Sequence, residues 1–294
     1  MNVEIFKQKS GNIYKIKKNS AKGNFKRFLV FVATIVMFPS FTNAFPYLSP
    51  YSYCAGNPVN YTDPTGCIVE GASRKDAAMV VEDFRNMFHD EAFSGFRNLI
   101  VQSGKRQNGK TLSPISADAL SEVFVGISLN EDQQALVDMV VNTINSDDVH
   151  MVEYIQSTGV LSDKATKNFL PGFMSGSLGP YMPSILEKNG GLPVPLIINQ
   201  GGGGVTTPTR NGSYSLIVIG GEHLNGRSVT TGHEGIGHGR SWATGLGDSF
   251  QHEQAIRTEN LILRVMGIPF VNTGENHGKE RFPIINPSLL PSFR

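Results

Sequence analysis

The sequence predicts an α+β fold in which several helices pack with a small sheet and a candidate site lies on two adjacent helices. Three observations predict it. Residues 74–88 and 131–145 carry apolar side chains at helical spacing behind polar caps. Residues 149–155 and 214–219 read as strands. Residues 227–266 read as two successive helices bearing histidines and glutamates. The chain has 294 residues, 39% hydrophobic and 17% charged, with 32 Gly and 16 Pro, which suits a globular, loop-rich protein rather than a disordered one.

Charge is distributed unevenly. Residues 1–44 hold eight Lys/Arg and one acid, Glu4. Removing these from the totals of 26 and 25 leaves 18 basic and 24 acidic residues, a net of −6 for 45–294. An acidic body lacks the electrostatic footprint of a nucleic-acid binder, so no nucleic-acid partner is expected.

Residues 1–27 are basic and polar, and FLVFVATIVMF at 28–38 is apolar. Pro39 and the small residues Thr42 and Ala44 follow. This is the pattern of a secretory signal peptide, and the apolar run is short of the about 20 residues of a spanning helix. We therefore expect residues 1–44 to be a signal peptide or N-terminal anchor. The product is then secreted or periplasmic, or membrane-anchored if uncleaved, with membrane contact otherwise confined to export. The two cysteines, Cys54 and Cys67, are open to two readings: one disulfide in an oxidising compartment, or two unpaired small residues.

Residues 47–66 read YLSPYSYCAGNPVNYTDPTG, with Asn-Pro and Asp-Pro-Thr-Gly turn chemistry between tyrosines. Ser49, Pro50, Tyr51, Tyr53, Cys54, Asn57, Pro58, Asp63, Pro64 and Gly66 match a run that closes the RHS repeat-associated core domain. Gly56 replaces a usual Asn. The resemblance covers about 20 residues. It implies that 45–66 is an RHS-core remnant and that 67–294 is a C-terminal toxin or effector domain, with an immunity protein as an expected partner.

In that domain, Ser73 to Asp76 is a capping-box start, and Ala77, Val80, Val81, Phe84 and Phe88 share one helical face. His89 and Asp90 are expected to end this helix, with His89 on the surface. Residues 103–114 read as a loop. Asn130 is expected to cap the second helix, whose buried stripe is Val137, Val140, Val141 and Ile144. His150 is read as a strand-face residue. Residues 171–213 are rich in Gly, Pro and Ser, and the glycine run 201–204 lacks a following Lys-Ser/Thr, so it reads as a flexible loop rather than a phosphate cradle. Residues 214–219, YSLIVI, read as a buried strand.

A helix is expected from Arg227 or Ser228 to about Arg240. It holds His233, Glu234 and His238 in HEGIGH. Two imidazoles and a carboxylate this close are the raw material of a hydrolytic zinc site. The string resembles the HExxH signature of zinc peptidases but has one residue more. In HExxH the two histidines are about 40° apart around the helix, whereas a spacing of five puts them about 140° apart. A one-residue bulge would restore convergence, and Gly235 and Gly237 permit it. The dipeptidyl-peptidase III family is similar here, with H-E-x-x-G-H. That likeness is confined to these six residues and supports only the ligand geometry; the zinc-peptidase signature is what implies a zincin-like site, expected on two adjacent helices, with Zn²⁺ bound by His233 and His238, and Glu234 as general base acting on a protein substrate.

Asp248 or Ser249 is expected to cap the next helix, which Gly267 and Pro269 end. On it His252, Ala255, Ile256, Glu259, Leu263 and Met266 share a face, while Glu253 lies at its edge and can pair with Arg257. The string HEQAIRTEN at 252–260 resembles the E-Y-R-A-x-R-x-E-N run of toxin metallopeptidases attached to RHS proteins, with His252 in place of the leading Glu. The third ligand is therefore expected to be His252, ahead of Glu259 and Glu253, and Glu259 has the alternative of orienting a ligand histidine. His223 and His277 read as solvated loop residues, and Trp242 as core. The proline-bearing tail, 269–294, is expected to wrap the surface. The function expected is a zinc peptidase-like effector. The alternatives are an inactive secreted binding protein derived from such a toxin, and a non-protease toxin such as a nuclease.

Overall fold

A computed structural model describes residues 68–104, 108–198, 203–220, 225–243, 248–275 and 283–293. The chain divides at Thr62/Asp63, and all of these residues belong to the second unit. The segments 28–38 and 47–66, Cys54, Cys67, His223 and His277 lie outside the described residues.

Four strands form one sheet: β1 (Ile68–Gly71), β2 (Val149–Gln156), β3 (Gly204–Thr209) and β4 (Gly212–Ile219), in the order β1-β2-β4-β3. β1 pairs parallel with β2, with Ile68 opposite Val149. β2 pairs parallel with β4, with Val149 opposite Gly212. β3 closes the far edge as an antiparallel partner of β4, with Thr206 opposite Ser215.

Parallel neighbours require crossovers, and helices supply them. Between β1 and β2 lie α1 (Arg74–Asn86), α2 (Ser94–Leu99), α3 (Ala117–Val123) and α4 (Glu131–Ile144). Between β2 and β3 lie α5 (Asp163–Ser175), α6 (Met182–Asn189) and α7 (Val194–Ile197). After β4 the chain forms α8 (Arg227–Thr231), a π-helical segment (Gly232–His238) and α9 (Gly239–Ala243) without interruption, and then α10 (Asp248–Val265). The architecture is thus mixed, helices with a small four-stranded sheet, in keeping with the α+β expectation. Helices cover both faces, however, and two of the three ladders are parallel.

Local chemistry sets the element ends. Ser73 accepts the Asp76 amide while Asp76 Oδ2 accepts that of Ser73, which closes the expected capping box. The second oxygen of Asp76 accepts the Tyr154 amide at 3.0 Å, so the cap also ties α1 to β2. Such caps are worth about 1 kcal/mol each. Asn130 and Gln133 form the equivalent box on α4. α10 ends in a Schellman motif: Gly267 is left-handed at φ 71°, Gly267 N donates to Arg264 O, and Ile268 N donates to Leu263 O.

Strand alternation sends side chains into two cores. Val152, Tyr154 and Ile217 join Val80, Phe84, Leu136, Val140, Ile236 and Leu261–Leu263 on one face. Ile155, Tyr214, Leu216 and Val218 join Phe169, Met182 and Leu192 on the other. β4 is covered on both sides, which is why it reads as a continuous apolar run.

The expected apolar face of α1 is buried throughout, and His89 is exposed, three residues beyond the helix end. Val141 on α4 is only half-buried. The described residues of the expected loop, 103–104 and 108–114, carry no helix or strand, with two added bridges, Glu70 to Thr111 and Gln102 to Leu112.

One expectation is corrected. The glycine-rich stretch is not loop to its end, because Gly204 opens β3. Gly204 and Pro208 mask the strand in the sequence. Proline is tolerated because β3 is an edge strand, where one N–H of each pair of residues faces away from the sheet.

Candidate functional site

The helix expected from Arg227 is present, and the irregularity falls on GHEGIGH. In a π-helix the hydrogen bonds run from i to i+5, so residues five apart lie about one turn from each other. His233 and His238 are such a pair. Their ring centroids are 5.1 Å apart, edge to face.

The third histidine comes from α10. The His238 and His252 centroids are 4.9 Å apart. Helix packing explains this. A Cβ on Gly237 would stand 2.6 Å from Ala255 Cα, and one on Gly232 would stand 2.2 Å from Ile262 Cδ1. His233 meets Glu259 between these two contacts. Partners therefore step backward along α10 as they step forward along the site helix. The two helices run antiparallel, with glycine letting their backbones close up, and His238 falls beside His252. None of Gly232, Gly235, Gly237 or Gly239 has a positive φ. Close approach rather than backbone strain explains Gly232 and Gly237.

Glu259 takes the place expected of an orienting carboxylate. Its Oε2 lies 2.9 Å from His233 Nδ1, a close ion-pair contact rather than a straight hydrogen bond. A carboxylate only accepts, so this contact favours the proton on Nδ1, with the lone pair on Nε2 when the ring is neutral. Asn272 Nδ2 donates to the same Oε2 at 2.9 Å.

Glu234 points to β3. Thr206 Oγ1 lies 2.7 Å from its Oε2 and donates to it, and Ser215 Oγ lies 2.9 Å from the same hydroxyl. Gly204, two residues earlier on the same strand face, leaves room for the glutamate stem: a Cβ there would stand 2.8 Å from Glu234 Cγ. His233, Glu234 and His238 are 6%, 7% and 7% exposed, so these are interior groups with a sliver of solvent contact.

Burial and charge act against each other here. Burial opposes the charged His233 ring, but the Glu259 contact, reinforced by Glu234, holds its pKa above the ordinary histidine value. Burial pushes the Glu259 carboxyl up, and His233 and Asn272 more than reverse this, so its pKa is lowered. Glu234 is raised: burial dominates, and His233 and Thr206 offset it only in part.

The remaining candidate, Glu253, forms the expected i, i+4 ion pair with Arg257 at the rim. His150 is buried on β2, with Nδ1 3.1 Å from Ser213 Oγ and Nε2 3.3 Å from Ser146 Oγ. Trp242 is half-buried rather than core. Thr206 had no signal in the sequence, because its partner Glu234 lies 28 residues away. Among the described residues, no group of three His, Cys, Asp or Glu is arranged to hold a metal ion as it stands. What the structure brings together is three imidazoles in ring contact, with one carboxylate against the first and another beside it in sequence. Neutral imidazole nitrogen is a good ligand for zinc, so the donor set fits such an ion in kind.

A second polar cluster lies at the start of the same helix. Asp83 of α1 is fully buried. Its Oδ2 accepts from Tyr154 Oη and Thr231 Oγ1, both at 2.6 Å, and Arg227 approaches Oδ1 through Nε at 2.9 Å and Nη2 at 2.7 Å. The Arg227 guanidinium also lies over the Tyr154 ring at 5.5 Å. This node ties α8 to α1 and β2.

No protein-family model, curated protein or solved structure matches the chain at a significant level. Among the described residues no helix is long and apolar enough to cross a membrane.

Proposed function

We propose that this chain is a secreted, RHS-associated toxin or effector that acts as a zinc-dependent peptidase with a zincin-like site. One observation carries the reading. The π segment puts the His233 and His238 rings 5.1 Å apart, and α10 places His252 4.9 Å from His238. Export and RHS association rest on the segments 28–38 and 49–66 of the sequence.

His233, His238 and His252 would hold Zn²⁺, and Glu259 would keep the His233 ring in the tautomer that offers Nε2. Bound zinc supplies Lewis-acid activation of a water and polarisation of the peptide carbonyl. Glu234 takes the water proton and passes it to the leaving amine. Its raised pKa suits both halves of that task, and Thr206 keeps the carboxylate in one orientation. The substrate is a protein, and an immunity protein would be the cognate partner.

Metal analysis of purified protein tests the ligand set. We expect about one zinc per chain, lost on His233→Ala and on His238→Ala. Substoichiometric zinc that those substitutions leave unchanged would overturn it. Glu234→Gln should retain zinc while cutting peptidase activity by about 10²- to 10⁴-fold. Zinc with no proteolysis that depends on Glu234 would instead identify an inactive binding protein.

A further inference from the structure

The C-terminal segment does more than cover α10. It is fastened along that helix by three side chains. Asn260 Oδ1 accepts the Asn272 amide at 2.7 Å, and its Nδ2 donates to Asn272 O at 2.8 Å and Pro287 O at 3.1 Å. Arg257 Nη1 donates to Leu290 O, and Gln254 Oε1 accepts the Ser292 amide. Asn260 thus holds both backbone polar groups of Asn272. The Asn272 side chain is also fixed. Its Oδ1 accepts the Gly274 amide at 2.9 Å, which leaves Nδ2 as the end that faces Glu259, 2.9 Å from Oε2. That same Oε2 is the atom against His233 Nδ1.

We infer that Asn272 is a positioning residue for His233, acting through Glu259. A carboxylate that shares one oxygen between two donors cannot swing away from either without losing the other. With its amide turned by Gly274 and its backbone clamped by Asn260, Asn272 pins the Glu259 carboxylate in the rotamer that meets Nδ1. The C-terminal strap is therefore part of the site's support: its attachment holds the carboxylate that favours the proton on Nδ1 of His233. The inference rests on the proposed zinc reading for its consequence in metal binding, but not for its effect on the ring itself.

The test uses the full chain with Asn272→Ala and Asn272→Asp, whose backbone contacts to Asn260 are unaltered. The first readout is made on metal-free protein by nitrogen-resolved NMR of the imidazole rings. Wild type should show His233 protonated at Nδ1. Asn272→Ala should shift that signal toward the other tautomer. Asn272→Asp, which sets a second carboxylate against Glu259, should perturb it more. The second readout is zinc affinity by competition with a chromophoric chelator, expected to fall by at least about 10-fold in both variants. Superimposable imidazole spectra in all three proteins would overturn the inference, as would zinc binding within twofold of wild type. If wild type itself takes up no zinc, the metal reading fails alone, and the imidazole spectra still decide the role of Asn272.

Discussion

Two buried polar clusters sit on one helix, and they are built on opposite principles. At the N-terminal end Asp83 is a single acceptor surrounded by donors from three other residues, Tyr154, Thr231 and Arg227. Charge and hydrogen bonding balance within the protein itself, so the node behaves as architecture. One turn further on, His233, His238 and His252 bring three groups of one kind together, with carboxylates behind them rather than between them. Imidazoles crowded in this way repel one another when protonated, so this cluster does not balance its own charge as the Asp83 node does. The difference teaches that burial alone does not mark function; the match or mismatch of the donor set does.

The sharpest way to break this comparison is to remove one member of each cluster. Asp83→Ala leaves the Tyr154 and Thr231 hydroxyls without their carboxylate acceptor and Arg227 with Glu82 alone, and should cost about 3 kcal/mol in urea unfolding. His252→Ala should change the stability of metal-free protein by less than about 1 kcal/mol while abolishing zinc retention. Equal destabilisation by both would erase the distinction.

His150 offers the next test, because it is a buried histidine held by two serines like the Asp83 node, not by other imidazoles. Burial, helped by the Arg240 charge, depresses its pKa to about 4 from the ordinary 6.5. The unfolded chain therefore binds the extra proton between those values, and stability rises with pH across that window. His150 supports the fold fully above pH 6.5, and that support is lost as pH falls toward 4. A shift of this size corresponds to about 3 kcal/mol. Urea unfolding of wild type and His150→Gln across the window should show the two pH profiles diverge. Parallel profiles would contradict the assignment, and zinc retention should be the same in both proteins.

Smaller effects should separate the glycines. Gly237→Ala drives a methyl to 2.6 Å from the Ala255 backbone and should cost about 1–3 kcal/mol, pushing His238 off His252. At Gly235 the nearest atom to a new Cβ is Val152 Cγ2 at 3.8 Å, so Gly235→Ala should be neutral or stabilising by up to about 1 kcal/mol. Thermal melts of the two variants check this directly, and a larger loss at Gly235 would refute the packing account.

Much of this was legible in the sequence where the signal is local. Ser73 and Asn130 announce their capping boxes through the residue three positions on. The bulge could be expected because the five-residue spacing of His233 and His238 is incompatible with a regular helix. The inward position of Glu259 followed from the helical wheel of α10. What was hidden depends on partners distant in sequence. β3 is a strand because β4 supplies its hydrogen bonds, although Gly204 and Pro208 weaken the extended preference of Val205, Thr206 and Thr207. Asp83 looks like any surface acid of an amphipathic helix until Arg227 and Tyr154 arrive. The strap is held at carbonyls and amides that every residue carries, so the side chains that grip them, Gln254, Arg257 and Asn260, do not name their partners in the sequence.

The π segment has a consequence beyond the histidines. An α-helix has a single rotational phase, fixed at about 100° per residue, so what its first turn faces dictates what its last turn faces. One residue absorbed between Gly232 and His238 gives this rod two phases on one axis. The upstream half is timed to Asp83, through Arg227 and Thr231; the downstream half is timed to the sheet, where Gly239 lies against Ser213 and His150. Inserting or deleting one residue here would act as a rotation of one half against the other, so that Asp83 and Ser213 could no longer both be met.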